Sequence, residues 1–254
     1  NGVGLLFGLV TGLVVGVCGG VFARLLDVAA DVRNGTAWAM YLLPLAGLMV
    51  VWMYRRGGIK TAGGTDLIIQ AARGEQPVSR LLAPVIFAAT LLTHFFGGSA
   101  GLEGAALQLG GSLSELIRKG AGMGESYQDL AIMCGMSAAF SALFGTPMAA
   151  AVFALEVVSV GVMYYAALMP CMIASLIASG FAAGMGVTPE SFHVTDIPAL
   201  TVETGLKMGA IALGCAVVSI MFCIALNGAA GLYGRWFKNK YVGVAVGACL
   251  VIVV

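Results

Sequence analysis

Long apolar runs set the first constraint on this chain. Val3 to Phe22, Trp38 to Met53 and Met208 to Ala225 reach or approach the ~20 residues that cross about 30 Å of hydrocarbon as a helix. Hydrophobic residues make up 60 % of the chain, charged residues only 10 %, and the mean hydropathy is +0.99. A soluble domain carries roughly 25 % charged residues. The composition therefore predicts an all-α, polytopic membrane protein. A β-barrel is excluded, because its strands alternate over about ten residues and these runs do not alternate. The first run has no basic flank before it and no small-residue cleavage pattern, so it reads as a membrane segment and not as a signal peptide.

The rest of the composition excludes more than it assigns. The net charge is +1 and no basic stripe occurs, so nucleic acid is not an expected partner. Cys18, Cys134, Cys171, Cys215, Cys223 and Cys249 all lie within apolar runs without a CxxC pair. They read as buried small hydrophobes, not as a disulfide framework or a zinc site. His94 and His193 lack a cysteine or carboxylate at ligand spacing, so neither metal nor cofactor is expected.

Periodicity and breakers predict helices over 3–28, 37–55, 80–96, 103–118, 127–143, 147–161, 162–186 and 203–235, another starting near 240, and a short one around 65–73. Several are too short to cross a bilayer at 1.5 Å per residue. Half-length helices with Gly-rich breaks mark a transport site at mid-membrane. Arg55, Arg56, Lys60, Arg73 and Arg80 form one basic segment, Arg118 and Lys119 a second, and Arg235, Lys238 and Lys240 a third. Placing all three in the cytoplasm sends 29–36 and 188–202 outward and puts the N-terminus in the cytoplasm. The chain reads as one transmembrane domain over 1–254, starting and ending inside membrane segments. Gly8, Gly12, Gly16 and Gly20, at i, i+4 spacing, predict close helix packing.

The chemistry concentrates in 97–111. Gly97, Gly98, Gly101, Gly104 and Gly110 crowd around a single carboxylate, Glu103. Such a backbone bends sharply and approaches other groups closely. A helix starting near Glu103 turns unpaired amides and the positive end of its dipole toward the break. That is an anion site built from backbone, which the Glu103 carboxylate can itself occupy. An ionisable group at membrane depth is a functional candidate by default.

Three stretches then carry a resemblance. Gly101-Leu102-Glu103-Gly104-Ala105-Ala106-Leu107-Gln108-Leu109-Gly110-Gly111 resembles the G-[RK]-E-G-P-x-x-Q-x-G signature of the CLC chloride channels and proton-coupled anion antiporters. Phe144-Gly145-Thr146-Pro147 through Glu156 is similar to the family's N-[AT]-P-x-A-G-x-x-F-x-x-E segment. Gly63-Gly64-Thr65-Asp66-Leu67, followed by Gln76-Pro77-Val78, stands where the family has G-S-G-I-P and its Q-x-P-V-type stretch. The resemblance spans the chain as the N-terminal half of a transport domain. It implies a CLC-type fold with tilted and half-length helices, the first half of an inverted repeat, and a homodimer with one pore per subunit. The second half would carry the family's G-x-F-x-P helix start and pore tyrosine. Departures are Leu102 for the basic residue, Ala105 for proline, Gly63 for the loop serine, and Val157 where exchangers often carry an internal glutamate. The approach Thr93 to Gly101 is similar to that of the bacterial fluoride/proton antiporters.

Residues and resemblance together predict transmembrane transport of a halide, chloride or fluoride, in exchange for protons. Two helix starts, near Thr65 and near Glu103, meet at the pore. Gly63, Gly64, Thr65, Gly101, Leu102, Gly104 and Ala105 offer amides to the anion. Glu103 competes with the anion when ionised and swings away when neutral, linking proton and anion binding. Glu156 is read as structural at the cytoplasmic rim, with a proton-path role as its other reading. His94 reads as a hydrogen-bonding residue, Asp66 as the first-turn acid of its helix, and Gln108 as a neighbour of the gate. The alternative function is a passive CLC-type anion channel. An intramembrane enzyme using Ser99 or Glu103 is not expected, because no serine–lysine, serine–histidine or paired-aspartate set accompanies them. Halide, proton and the lipid bilayer of the cell membrane are the expected partners.

Overall fold

A computed structural model describes residues 2–59, 64–98, 100–158, 164–189, 199 and 201–253. These residues form ten α-helices, with no strand among them. They are α1 (Gly2–Gly35), α2 (Leu43–Arg56), α3 (Asp66–Ala72), α4 (Leu82–Phe95), α5 (Leu102–Gly120), α6 (Gln128–Phe144), α7 (Pro147–Val158), α8 (Tyr165–Gly184), α9 (Val202–Trp236) and α10 (Lys240–Val253).

The interior is built around α6, which is apolar on every side and buried at nearly every position from Leu130 to Ala142. A helix apolar all round belongs at the centre of a bundle, and α5, α7, α8 and α1 all pack on it. Small residues set the spacing. Gly110 of α5 and Gly135 of α6 face each other so closely that a methyl on either would run into the other's carbonyl oxygen. Ser137 and Ser141 of α6 donate to the carbonyl oxygens of Cys171 (3.0 Å) and Ser175 (2.8 Å) on α8, bonds that have no water to compete with them in lipid.

Along α1, Gly8, Gly12, Gly16 and Gly20 line the contact with α8. They face Pro170, Ala174, Ala178 and, for Gly20, Ala182 and Met185. The two i, i+4 rows run against each other. Pro170, which removes a hydrogen bond inside α8, sits in the space left by Gly4 and Gly8.

Three expectations change. The helix over 3–28 extends to Gly35, so the outward segment 29–36 is mostly the last turns of α1. The predicted 37–55 helix divides into a 3-10 turn, Ala37–Leu42, and α2, with Pro44 in the first turn of α2, where its missing N–H costs nothing. Among the cysteines only Cys134 and Cys171 are buried. Cys215 and Cys223 are exposed because no residue of α9 is buried in the chain, and Cys249 is exposed on α10, where Gly243 and Ala248 are the buried positions. The candidate outward segment 188–202 lies largely outside the described residues.

Candidate functional site: a junction of helix starts

The break before Glu103 has a defined geometry. Gly97 takes φ +82°, its N–H bonds His94 O (3.1 Å), and the N–H of Gly98 bonds Thr93 O (2.8 Å). This pair is the glycine-dependent motif that closes a helix end and turns the chain away. The positive φ favours glycine at Gly97, and a side chain on Gly98 would have to displace the Thr93 methyl, Cγ2, 2.7 Å from its Cβ position. Helix α5 then starts from Gly101, with φ −63° and ψ +123°, and no side chain caps its first amides. Glu103, in that first turn, is exposed, while Leu102 and Gly104 are half-buried and Ala105 is buried.

The second helix start meets the first. Thr65 precedes α3 but does not cap it: no amide of α3 bonds its hydroxyl, the bond a threonine at this position ordinarily accepts. Its Oγ1 instead lies 2.8 Å from the place a Cβ would occupy on Gly104. Of the residues singled out in the sequence, Thr65 and Gly104 therefore touch, and Gly101, Leu102, Glu103 and Ala105 follow on the same turn of α5. Gly64 stands one residue earlier with φ +45°. Gly63 lies outside the described residues, as does Ser99. Gln108 is buried and donates to Gly104 O at 3.2 Å, one turn back toward the junction. His94 Nδ1 donates to Thr90 O at 2.9 Å, tying the ring to its own helix.

Helix α3 has only seven residues and cannot hold itself in place. Gln128, at the start of α6, donates to Ala71 O at 2.7 Å, and Arg73 Nε donates to Val158 O at 2.6 Å. The second bond joins the C-terminal ends of α3 and α7. Glu156, exposed in the last turn of α7, is accordingly at the end of α3 opposite to Thr65.

Two supports were not legible in the sequence. Gln128 and Ala71 are too far apart in the chain for spacing to pair them. Arg118, read as part of a cytoplasmic basic segment, is buried. It forms a two-bond pair with Glu115 (2.7 and 2.8 Å) and donates to Met123 O (2.6 Å) and Gly124 O (2.8 Å), with Lys119 3.2 Å from Glu115. The i, i+3 spacing of Glu115 and Arg118 was the available signal.

Among the described residues, broken helices whose uncapped starts converge lie in a bundle with four helical stretches long and apolar enough to cross a membrane, the architecture of a polytopic α-helical membrane protein. The family model described as voltage gated chloride channel matches residues 46–254, and the chain belongs to this CLC family. It is 30 % identical over 208 residues to the chloride/fluoride channel protein of Pseudomonas syringae pv. tomato, covering 82 % of this chain and 46 % of that one. It is 26 % identical over 234 residues to the putative chloride channel protein ClcB-like of Ralstonia nicotianae, covering 88 % and 54 %. The chain thus spans about half the length of these relatives. Among solved structures, a CLC-type fluoride/proton antiporter superposes with a TM-score of 0.92 at 30 % identity, over 99 % of this chain and 64 % of that one. A slow cyanobacterial Cl−/H+ antiporter gives 0.80 at 18 % identity, over 98 % and 63 %, a likeness of fold alone.

Proposed function

We propose that this chain forms one half of a halide pathway that exchanges anion for protons, with Glu103 as gate and proton acceptor. The observation that carries the reading is the junction of Thr65 with Gly104, where two helix starts without side-chain caps converge beside an exposed carboxylate. Partial positive charge and amide donors attract an anion without the tight grip of a lysine. An ionised Glu103 competes for the same amides, and a protonated one releases them. Gly64, Thr65, Gly101, Leu102, Gly104 and Ala105 contribute the backbone, and the Thr65 hydroxyl, free of capping, adds a side-chain donor. Gly63 belongs to the same loop in sequence. The relatives' names cover both chloride and fluoride, and both are carried into the test.

The experiment is halide efflux with simultaneous proton flux in liposomes, comparing the full-length protein with Glu103→Ala. Efflux that drives protons in the parent, with coupling lost in the variant, is the expected result. Fluoride efflux far above chloride would assign the anion. If no halide moves, or the variant matches the parent, the mechanism is wrong.

Passive conduction is the second reading. It is favoured by Val157 beside Glu156, and by the position of Glu156 at the end of α3 opposite to Thr65; the acid next to the junction is Asp66, exposed in the first turn of α3. Halide efflux with no proton movement in the parent would select it. Assembly as a homodimer in the cell membrane, with the N-terminus in the cytoplasm, belongs to the same proposal. Cross-linking of the reconstituted protein tests the dimer.

A further inference from the structure

The end of α1 reaches the break that leads to Glu103. Arg33, in the last turn of α1, lies with its Cδ 3.6 Å from the point a Cβ would occupy on Gly97, beside Met40. A Cβ on Gly97 would be in ordinary van der Waals contact with the arginine stem, so the end of α1 lies alongside the break. The apolar stem packs against backbone while the guanidinium stays in solvent. Its one side-chain bond is the 3.2 Å contact of Nη2 with Asn34 Oδ1. Among the described residues no carboxylate pairs with it, and Asp31, two residues earlier on the same helix, points to another face. An arginine keeps its charge at every physiological pH. From Gly97 the chain travels at most about 14 Å to Gly101, where the uncapped start of α5 begins.

We propose that Arg33 is an anion-steering residue at the mouth leading to Glu103. It raises the local halide concentration at the break and so sets how often halide reaches the junction, without being part of the binding site. The proposal rests on the reading of Glu103 given above. A fixed charge near a low-dielectric opening accelerates encounter and loses its effect as salt screens it.

The test measures initial halide uptake by the reconstituted full-length protein, with ionic strength varied by an impermeant salt. For Arg33→Gln, uptake at sub-saturating halide is expected to fall by about two- to five-fold at low ionic strength. It should converge on the parent at high ionic strength, with the maximal rate unchanged. Arg33→Lys is expected to behave as the parent. A fall that persists at all salt concentrations, or an equal fall in Arg33→Lys, would show that packing on Gly97 and not charge is at work, and would overturn the proposal. If Arg33→Gln does not assemble, Arg33→Cys can be modified after reconstitution with a cationic or an anionic methanethiosulfonate. Steering requires the cationic adduct to exceed the anionic one, and equal rates overturn it. A parent that moves no halide removes both readings. A parent uncoupled by Glu103→Ala, yet indifferent to charge at position 33, removes only this one.

Discussion

At Gly104 the space available is smaller than a methyl group, because Thr65 Oγ1 stands 2.8 Å from the site of a Cβ. Gly104→Ala must push α3 and α5 apart at their starts or turn the hydroxyl away. We expect it to lower halide flux about ten-fold, since displacing a positioned donor by even 1 Å is costly at a binding site. Thr65→Ala removes the obstacle together with the hydroxyl. Flux in the double variant is then expected to match Thr65→Ala alone, a non-additive outcome that flux assays on the four proteins would show. Additive losses would mean the two residues act separately. At the other end of α5, Arg118→Met leaves a buried Glu115 with Lys119 as its one remaining partner and frees the carbonyls of Met123 and Gly124. Breaking a buried pair from one side costs about 3 kcal/mol or more, read as a lower thermal midpoint in detergent. Glu115→Leu with Arg118→Met should recover part of that loss. The helix start beside Glu103 was legible because glycine density around a lone acid in an apolar chain has few structural meanings. The burial of Arg118 was not, because a basic residue at a helix end reads equally well as a solvated charge.

Elements in this chain are short or long for reasons the glycines and prolines announce. Gly97, Gly101, Gly145 and Pro147 end or start helices where the apolar pattern breaks, so the bounds of α4 through α7 could be read in advance. Gly145, at φ +65°, ends α6 two residues before Pro147 opens α7. The glycine row of α1 was also legible as a packing face, but its partner was not. Only the three-dimensional arrangement pairs it with Pro170, Ala174 and Ala178. This pairing makes a sharp test. A side chain at position 12 would meet Ala174 O at 2.7 Å and Ala174 Cα at 2.9 Å, backbone that cannot rotate aside. Gly12→Leu is expected to destabilise by about 3 kcal/mol or to prevent assembly. Leu13→Ala, at a position 43 % exposed, should change stability by no more than about 0.5 kcal/mol. Thermal melts followed by size-exclusion chromatography would separate the two, and equal effects would remove the α1–α8 interface as a determinant of the fold.

At the scale of the molecule, the basic segments of the sequence come together at one end of the bundle. Arg55 at the end of α2 lies over the ring of Tyr241 at the start of α10, 4.5 Å from its centroid. Gln128 ties the start of α6 to the end of α3, Arg73 ties that end to α7, and Arg118 holds Met123 and Gly124 in the same connection. The opposite end carries the last turn of α1 and the break after α4, joined through Arg33 and Gly97. Clustering of arginine and lysine on one side is what orients membrane proteins with that side in the cytoplasm, so the arrangement makes the topology testable. Asn34 and Ser126 are both exposed and lie at opposite ends. In intact cells an impermeant maleimide is expected to label Asn34→Cys, and to reach Ser126→Cys only after permeabilisation, with the parent as control for its own thiols. The reverse pattern would place the basic end outside. Glu103, one glycine-rich turn beyond the Arg33 end, would then open toward the cytoplasm, and anion would meet the proposed gate from the inside.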